Sequence, residues 1–356
     1  MTGFALVPVL SSESRPLETQ PFPDAAEYAD AAYQLARGNG YVTYVHNQEN
    51  RPPRYPPGFS LALTPFVAFA GPYPASVQMA VKVFAALYVL AAVFSAWALG
   101  GPLAAALTAT LVGVSPLAQV SASLILSDAF AAALTVFMIV LLHRPSARRV
   151  SLAGALTGAL LVVRLSAVVN LMALILSLPP RYWRRVVGFS LPAIIGLGLY
   201  HWRTFGSPFR TGYGYWLPDQ RNFHWIPALA SPPKPPFTDG PWVVGDAMNG
   251  ALLHWICPCP EGGPQAAFPN AFFYPLVLLG LFWIFAPPLT TLPGLWGAWT
   301  RRREAVGAFT LWLTVLSLSM YAFYFYQGAR FMAGPATLLV IFTAASIAGW
   351  AEKKWQ

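Results

Sequence analysis

The chain has 356 residues, of which 56% are hydrophobic and only 10% are charged, and its mean hydropathy is +0.52. Soluble domains carry about 25% charged residues, so the composition excludes an ordinary soluble enzyme and indicates an all-α polytopic membrane protein. The net charge of +9 does not indicate nucleic-acid binding, because the basic residues stand in short clusters between apolar runs.

A polar segment near the start of the chain, residues 23–59, precedes a long, mostly apolar part. Charge at the edge of a membrane is costly, so a dense group of charges there indicates function. Within this segment, residues 56–72 form a short apolar stretch bounded by prolines, which predicts a helix lying in the outer interface rather than a span. The charged residues of the segment include Asp24, Glu27, Asp30, Arg37, Arg51 and Arg54.

Apolar runs predict about nine membrane-spanning helices, given that a full crossing needs about 20 residues. The two runs that flank Arg164 are short, and they predict either a tight pair turning at Arg164 or one broken helix. The seventh run leaves open a continuation to Trp299. The predicted spans are residues 76–99, 102–119, 122–142, 151–163, 165–178, 187–202, 271–285, 305–326 and 331–350.

Basic residues follow every second predicted span, at 144–149, 181–185, 301–303 and 353–354. The positive-inside rule makes these turns cytoplasmic. The alternate turns, which include Arg164 and Arg330, are then external, together with the N-terminal loop and residues 201–270. The N-terminus is predicted to lie outside and the C-terminus inside.

Several short motifs, in this order along the predicted topology, resemble the GT-C membrane glycosyltransferases. The resemblance is to the branch that contains protein O-mannosyltransferases and the aminoarabinose transferase of lipid A modification, and it covers nearly the whole chain. The motifs are PDAAEYADA at 23–31, RGNGY at 37–41, RYPPG at 54–58, SD at 127–128, and RTFGSP at 203–208 followed by GY at 212–213.

The resemblance implies a GT-C-type bundle and four regions along the chain. Residues 1–75 would be an external first loop with interfacial helices, 76–202 membrane helices, 203–270 a long external loop, and 271–356 the C-terminal membrane helices. The opening MTGFALVPVLSSESRP is too short and lacks the basic start of a signal peptide. We therefore expect the chain to start late relative to its relatives, without their first helix.

The resemblance also implies an activity: transfer of a sugar from a polyprenyl-phosphate donor to the hydroxyl of a lipid, glycan or protein acceptor on the external face. Asp24 stands at the family's first acidic position and is the candidate general base. Asp128, in an otherwise apolar run, is the candidate second acid or donor-orienting group. Either acid could instead simply cap its helix, since Asp is a favoured N-cap residue.

The leaving lipid phosphate needs cations, and Arg330, Arg164 and Lys82 are the candidates. Arg suits phosphate because its guanidinium is a planar fork of donors. The alternative for both arginines is snorkelling to ordinary lipid headgroups, and for Lys82 a pair with an acid of the loop.

Five further residues are candidates for the substrate loop: Glu27, Tyr28, Arg54, Tyr55 and Tyr213. For Glu27, as for Asp30, solvation or pairing with Arg37 is favoured over catalysis.

A divalent metal is an open alternative, held by external histidines with Asp24, although no HxxxH or DxD pattern supports it. The histidines concerned are His46, His224 and His254. The pair Cys257 and Cys259 is too small for a zinc site, which needs four ligands, and it is either incidental or a local disulfide.

Two other functions compete with the transferase. A transporter or flippase for a lipid or polyprenol would show two related halves, and no repeat is evident in the sequence. A non-catalytic membrane scaffold would have no need of Asp24 and the external arginines. The sequence does not identify the sugar or the acceptor.

Overall fold

The computed structural model describes residues 2–12, 14, 20, 24–45, 51–71, 73–216, 269–280, 287, 289–324 and 328–355. These residues form α-helices, short 3-10 turns and connections, with one isolated β-bridge between Thr43 and Arg51. In chain order the helices are α1 (Thr2–Leu10), α2 (Asp24–Ala36), α3 (Gly58–Phe69), α4 (Ala75–Gly113), α5 (Pro116–Ser123), α6 (Asp128–Leu142), α7 (Ala147–Val163), α8 (Val168–Ser177), α9 (Trp183–Phe205), α10 (Gly212–Trp216), α11 (Asn270–Leu278), α12 (Thr291–Thr300), α13 (Ala305–Ala322) and α14 (Ala333–Trp355).

Three helical segments of the described chain are both long and apolar enough to cross a bilayer: Ala75–Gly113, Ala305–Ala322 and Arg330–Lys353. Shorter apolar helices add to the bundle. The predicted all-helical membrane architecture is therefore confirmed, whereas the count of nine spans is not. The shorter helical segments are Gly58–Phe69, Asp128–Leu142 and Leu165–Ser177.

Glycine and proline move the helix boundaries away from those that hydropathy predicts. α4 is interrupted near its middle at Gly101, whose φ of 69° favours glycine, and this separates the first predicted span from the second. The second predicted span ends early, at Gly113, because Ser115 caps a new short helix that starts with Pro116. The third span accordingly begins at Asp128, later than predicted.

A second break falls in the seventh apolar run, which does not continue as one helix to Trp299. α11 ends at Leu278, and Gly280 follows with a φ of 72°. α12 begins only at Thr291.

The chain reverses direction at Arg164, as one of the two sequence alternatives predicted. The backbone of Arg164 is extended (φ −148°, ψ 126°) between α7 and a short 3-10 turn. Gly154 of α7 packs on Val186 of α9, and Gly158 packs on Ser190, so α7 and α9 run parallel. α8 lies between them in the chain and must therefore run the opposite way. It packs mainly against α13 and only weakly against α7, so the reversal at Arg164 is found but the tight pairing of α7 with α8 is not.

The basic turns gather at one end of the bundle. Arg301, after α12, lies 3.5 Å from the carbonyl oxygen of Leu99, and both Arg301 and Arg144 act electrostatically on His143 at the end of α6. α6 and α7 are joined at this end. Their other ends, which carry Asp128 and Arg164, therefore lie together at the far end of the bundle.

α2 and α3 pack over this far end. Gly58, at the start of α3, lies so close to the end of α7 that an added Cβ would stand 2.7 Å from the carbonyl carbon of Val162. A buried apolar cluster joins the two helices to α4 and α6. Its members include Ala25, Tyr28, Phe59, Leu63, Val77, Phe84 and Ile125.

Candidate functional site

Asp24 is the first residue of α2, and both oxygens of its carboxylate are engaged. The phenol of Tyr55 donates a hydrogen bond to Oδ1, and Nη2 of Arg330 lies 3.5 Å from Oδ2. Among the described residues the carboxylate accepts no backbone N–H, so the alternative of a simple N-cap is not supported. The side chain stays 26% exposed, which leaves one approach to the carboxylate open.

Asp128 opens α6 and is 5% exposed. Nη1 of Arg164 donates a hydrogen bond to its Oδ1. Burying a carboxylate is costly unless a charged partner accompanies it, and Arg164 is that partner because α7 ends at Val163, beside the first turn of α6. Ser127 precedes Asp128 and does not cap the helix with its side chain.

Arg330 bridges the two acids. It lies in the 3-10 turn Ala329–Met332 that precedes α14. Its Nη2 lies 3.5 Å from Oδ2 of Asp24, and its Nη1 lies 3.5 Å from Oδ2 of Asp128. Both distances exceed the roughly 2.7–2.9 Å of a charge-assisted hydrogen bond. The four charges of Asp24, Asp128, Arg164 and Arg330 form one cluster with no net formal charge.

One aromatic ring lies against both guanidinium groups of this cluster. Cζ of Arg164 lies 5.5 Å from the ring centroid of Phe331, and Cζ of Arg330 lies 5.4 Å from it. Tyr321 stacks on the same ring, with centroids 4.9 Å apart and planes at 9°. Cation–π attraction acts within about 6 Å, so Phe331 offsets part of the repulsion between the two arginines.

Glu27 and Arg54 form a buried ion pair beside the cluster. Oε1 of Glu27 lies 3.1 Å from Nη2 of Arg54, and Oε2 accepts the backbone N–H of Arg54 at 2.8 Å. Glu27 is fully buried. The expectation that Glu27 is solvated or paired with Arg37 is therefore wrong, because this face of α2 turns toward the RYPPG segment.

Asp30 is half-buried and is engaged in local hydrogen bonds. Its Oδ2 accepts hydrogen bonds from the hydroxyl of Thr43 at 2.9 Å and from the backbone N–H of Tyr44 at 2.6 Å. Arg37 does not pair with it and instead donates to the phenol of Tyr33 at 2.5 Å. Asp30 thus closes the loop after α2. The predicted pair with Arg37 is not found, and Asp30 keeps part of its surface in contact with solvent.

Tyrosines surround the open side of Asp24. The ring of Tyr55 packs against Tyr28 at 4.7 Å and edge-to-face against Tyr213 at 5.5 Å between centroids. Burial raises the pKa of Tyr55 well above its usual value, and the charge of Asp24 adds to this. Burial likewise raises the pKa of Tyr213. Both phenols therefore stay protonated at neutral pH, and that of Tyr55 donates to Asp24.

The FGSP segment and its neighbours are joined to the RYPPG segment. Gly206 ends α9 in the left-handed conformation, with a φ of 80°. A Cβ at Gly212 would lie 2.4 Å from the carbonyl oxygen of Arg54. Nε1 of Trp216 donates to the carbonyl oxygen of Pro52 at 2.9 Å. The residues after α9 and those before α3 therefore form one unit around Tyr55.

A cavity of about 50 Å³ continues from Asp128 into the bundle. Asp128, Arg164 and Arg330 line it at the site. Thr135, about two helical turns further along α6, and Asn170 of α8 line it deeper in the bundle. Thr135 donates to Oδ1 of Asn170 at 3.2 Å. A water molecule needs about 10–15 Å³ of such space and two to four polar partners, so the cavity has room for a few waters.

Lys82 is not drawn into the charge cluster. It lies half-buried on α4 and forms no ion pair with a carboxylate of the described part of the chain, so the predicted pair with an acid of the loop is not found there. Its predicted contact with the donor phosphate stays a prediction.

The described residues include no group that could hold a divalent metal. Within the ranges that the structure describes, no three of the side chains His, Cys, Asp and Glu come together. Asp24 and Asp128 are instead paired with guanidinium groups. His46, His224, His254, Cys257 and Cys259 lie outside the described residues.

The sequence analysis missed several residues of the site. Tyr321 lies in the last turn of α13 and Tyr324 follows the end of that helix, and the rings of both pack on Phe331. The available signal was the pair of tyrosines a few residues before Arg330. Asn170 is a single amide in the apolar run of α8, which is the pattern that marks intramembrane polar sites. Phe331 carried no signal beyond its place next to Arg330.

No protein-family model matches the sequence, and no curated protein matches it. Solved structures do. ArnT from Cupriavidus metallidurans in the apo state aligns with a TM-score of 0.63 and 15% identity, over 99% of this chain and 60% of that one. The same protein bound to undecaprenyl phosphate gives a TM-score of 0.60 and 16% identity, over 99% and 61%.

The oligosaccharyltransferase of Archaeoglobus fulgidus, in complex with Zn and sulfate, aligns with a TM-score of 0.58 and 11% identity, over 99% of this chain and 49% of that one. The chain thus spans about three fifths of ArnT and about half of the oligosaccharyltransferase. Identities this low carry the fold alone. Both neighbours are GT-C glycosyltransferases, and the chain has the GT-C fold.

Proposed function

We propose that this chain is a membrane glycosyltransferase that moves a sugar from a polyprenyl-phosphate donor to an acceptor hydroxyl on the external face. The observation that carries the proposal is the bridge that Arg330 makes between Asp24 and Asp128, at 3.5 Å from each. It brings a candidate base and a candidate phosphate ligand to the same end of a GT-C bundle.

The reaction is a displacement at the anomeric carbon of the sugar. The acceptor oxygen forms a new bond to that carbon while the bond from the carbon to the phosphate oxygen breaks. Asp24 takes the proton of the acceptor hydroxyl, and the phosphate leaves with the electron pair of the broken bond. Asp24 suits the base because its carboxylate is held in place and 26% exposed.

The negative charge that develops on the leaving phosphate needs a fixed cation nearby. We assign this role first to Arg330, which touches both acids, and then to Arg164, with Lys82 as a further candidate. Arg164 donates directly to the buried Asp128, so Asp128 mainly holds Arg164 in place. Tyr28, Tyr213 and Tyr55 border the open approach to Asp24. Glu27 and Arg54 support these residues as a buried ion pair.

The external location rests on the charge distribution. The acids and Arg330 lie at the end of the bundle opposite the basic turns, and basic turns favour the cytoplasmic side. The carrier lipid rests on the neighbours: ArnT is solved bound to undecaprenyl phosphate, and the archaeal oligosaccharyltransferase with a dolichol-phosphate and an inhibitory peptide. Both neighbours are solved with a polyprenyl-type lipid phosphate, so we propose that the sugar donor of this chain carries a lipid phosphate.

The test is to incubate the purified protein with a panel of polyprenyl-phosphate sugars and candidate acceptors, and to measure release of lipid phosphate and formation of glycosylated product. We expect turnover with at least one donor and its loss in Asp24→Asn. Movement of the lipid between leaflets of a vesicle without sugar transfer would instead establish the transporter alternative. Binding of the lipid donor without sugar transfer or lipid movement would favour the non-catalytic scaffold.

A further inference from the structure

Tyr55 holds a position relative to Asp24 that neither the motif nor the fold comparison assigns. Its phenol donates to Oδ1 of Asp24, while Arg330 contacts Oδ2. Contacts to both oxygens restrict the rotation of a carboxylate more than a contact to one of them. The two contacts come from segments far apart in the chain, one from the RYPPG motif and one from the turn before α14.

Tyr55 is itself held firmly. It is 7% exposed, and its ring is packed between Tyr28 and Tyr213. Its backbone carbonyl accepts the phenol of Tyr41 at 2.9 Å. The preceding residue, Arg54, is tied to α2 through Glu27, so the donor of the hydrogen bond and the helix that carries its acceptor are joined.

In the hydrogen bond between Tyr55 and Asp24 the phenol is the donor and the carboxylate is the acceptor. Burial and the neighbouring carboxylate raise the pKa of Tyr55, so the proton stays on the phenol and Asp24 remains the acceptor. A carboxylate has about four lone-pair sites, and one bond to each oxygen leaves the remaining sites for the proton of the acceptor. Productive geometry at such a site is held within about 0.5 Å.

We propose that Tyr55 is a positioning residue, whose phenol fixes the carboxylate of Asp24 for proton transfer from the acceptor. The inference rests on the proposed glycosyltransferase function. It gives the tyrosine of the RYPPG segment a role distinct from contact with the substrate.

The test compares Tyr55→Phe with Tyr88→Phe. Both changes remove only a hydroxyl and keep the ring. Tyr88 is a matched control because its buried phenol lies 2.5 Å from Thr337 in the apolar core, within hydrogen-bond distance and away from the site. We expect Tyr55→Phe to lower kcat by about 10- to 100-fold with the KM for the donor within twofold, which is at or below the low end of the roughly 10²–10⁴-fold effect of a general base because the base itself is kept. We expect Tyr88→Phe to leave kcat unchanged.

A double-mutant cycle provides a second measurement. In the Asp24→Asn background, Tyr55→Phe should cause no further loss of kcat, because residues that act through one group are not additive. Near-wild-type kcat in Tyr55→Phe, a raised KM at unchanged kcat, or fully additive losses would each overturn the role. If the wild type transfers no sugar from any donor, it is the proposed function that fails. In that case the coupling of the two changes in thermal stability still reports whether the hydrogen bond exists.

Discussion

Asp24 and Arg330 stand 306 positions apart in the chain and lie 3.5 Å from each other in the folded protein. The contact joins the first turn of α2 to the turn before the last helix. The candidate site therefore exists only when the N-terminal polar segment is docked on the C-terminal helices. Any change that separates them should abolish activity without touching an acid.

The first prediction concerns the base. Asp24→Asn should lower transfer by about 10²–10⁴-fold, because an amide of the same size cannot take the proton. Expression and thermal stability should stay close to wild type, and kcat on a competent donor is the measurement. The control is Glu304→Gln, the same carboxylate-to-amide change at an exposed position near the basic turns. A loss of only a few-fold would move the base to Asp128 or remove the transferase proposal.

The second prediction concerns Arg330. Arg330→Ala should lower kcat by about 10²–10³-fold, the typical effect of removing one group that stabilises developing charge. Arg330→Lys should be milder, since Lys keeps the charge but loses the fork that spans two oxygens. The comparison requires kinetics on the polyprenyl-phosphate donor, with Arg303→Ala in an exposed basic turn as control. Wild-type kinetics in both variants would mean that Arg330 meets only lipid headgroups.

The third prediction concerns Glu27. Glu27→Gln leaves the guanidinium of Arg54 buried without its charge partner, and breaking such a pair costs about 3–5 kcal/mol. We expect a clear fall in the thermal midpoint of the detergent-solubilised protein. The double variant Glu27→Gln/Arg54→Gln should recover part of that loss, because it removes the stranded charge. Equal midpoints for wild type and Glu27→Gln would show that the pair contributes nothing.

The fourth prediction concerns sidedness. With Cys257 and Cys259 replaced by Ser, single cysteines at Ser146 and Ser207 should be labelled from opposite sides of the membrane by an impermeant reagent. Ser146 follows α6 at the basic end, and Ser207 follows α9, which starts at that end and runs away from it. Labelling of Ser207 from the outside is expected from the positive-inside rule. Labelling of both from one side would remove the external face from the proposal.

The charged members of the site were recognisable from the sequence because they interrupt apolar runs. Arg164 and Arg330 stand between predicted spans, Asp128 lies within the third predicted span, and Asp24 stands in the polar segment before the first. The alternation of basic turns also predicted that Asp24, Arg164 and Arg330 lie on the external side. Which acid pairs with which arginine could not be predicted, because the pairing depends on how α2, α6, α7 and the turn before α14 pack. The number of residues between two charges does not give the distance between them in the folded protein.

The errors have local physical causes. Three-residue spacing places Asp24 and Glu27 near one another on α2, but it does not tell which neighbours that face will meet, and Glu27 turned out to face Arg54. Hydropathy counts apolar residues without regard to backbone conformation. It therefore overlooked the new helix start at Pro116 and the helix end before Gly280.

The backbone contact between Gly212, at the start of α10, and Arg54 joins the segment after α9 to the residue that precedes Tyr55. No side chain lies between the two backbones, so there is little slack for one to move without the other. Tyr213, next to that glycine, packs edge-to-face on the ring of Tyr55, and the phenol of Tyr55 donates a hydrogen bond to Asp24. The position of the residues that follow α9 therefore helps to set the position of the carboxylate of Asp24.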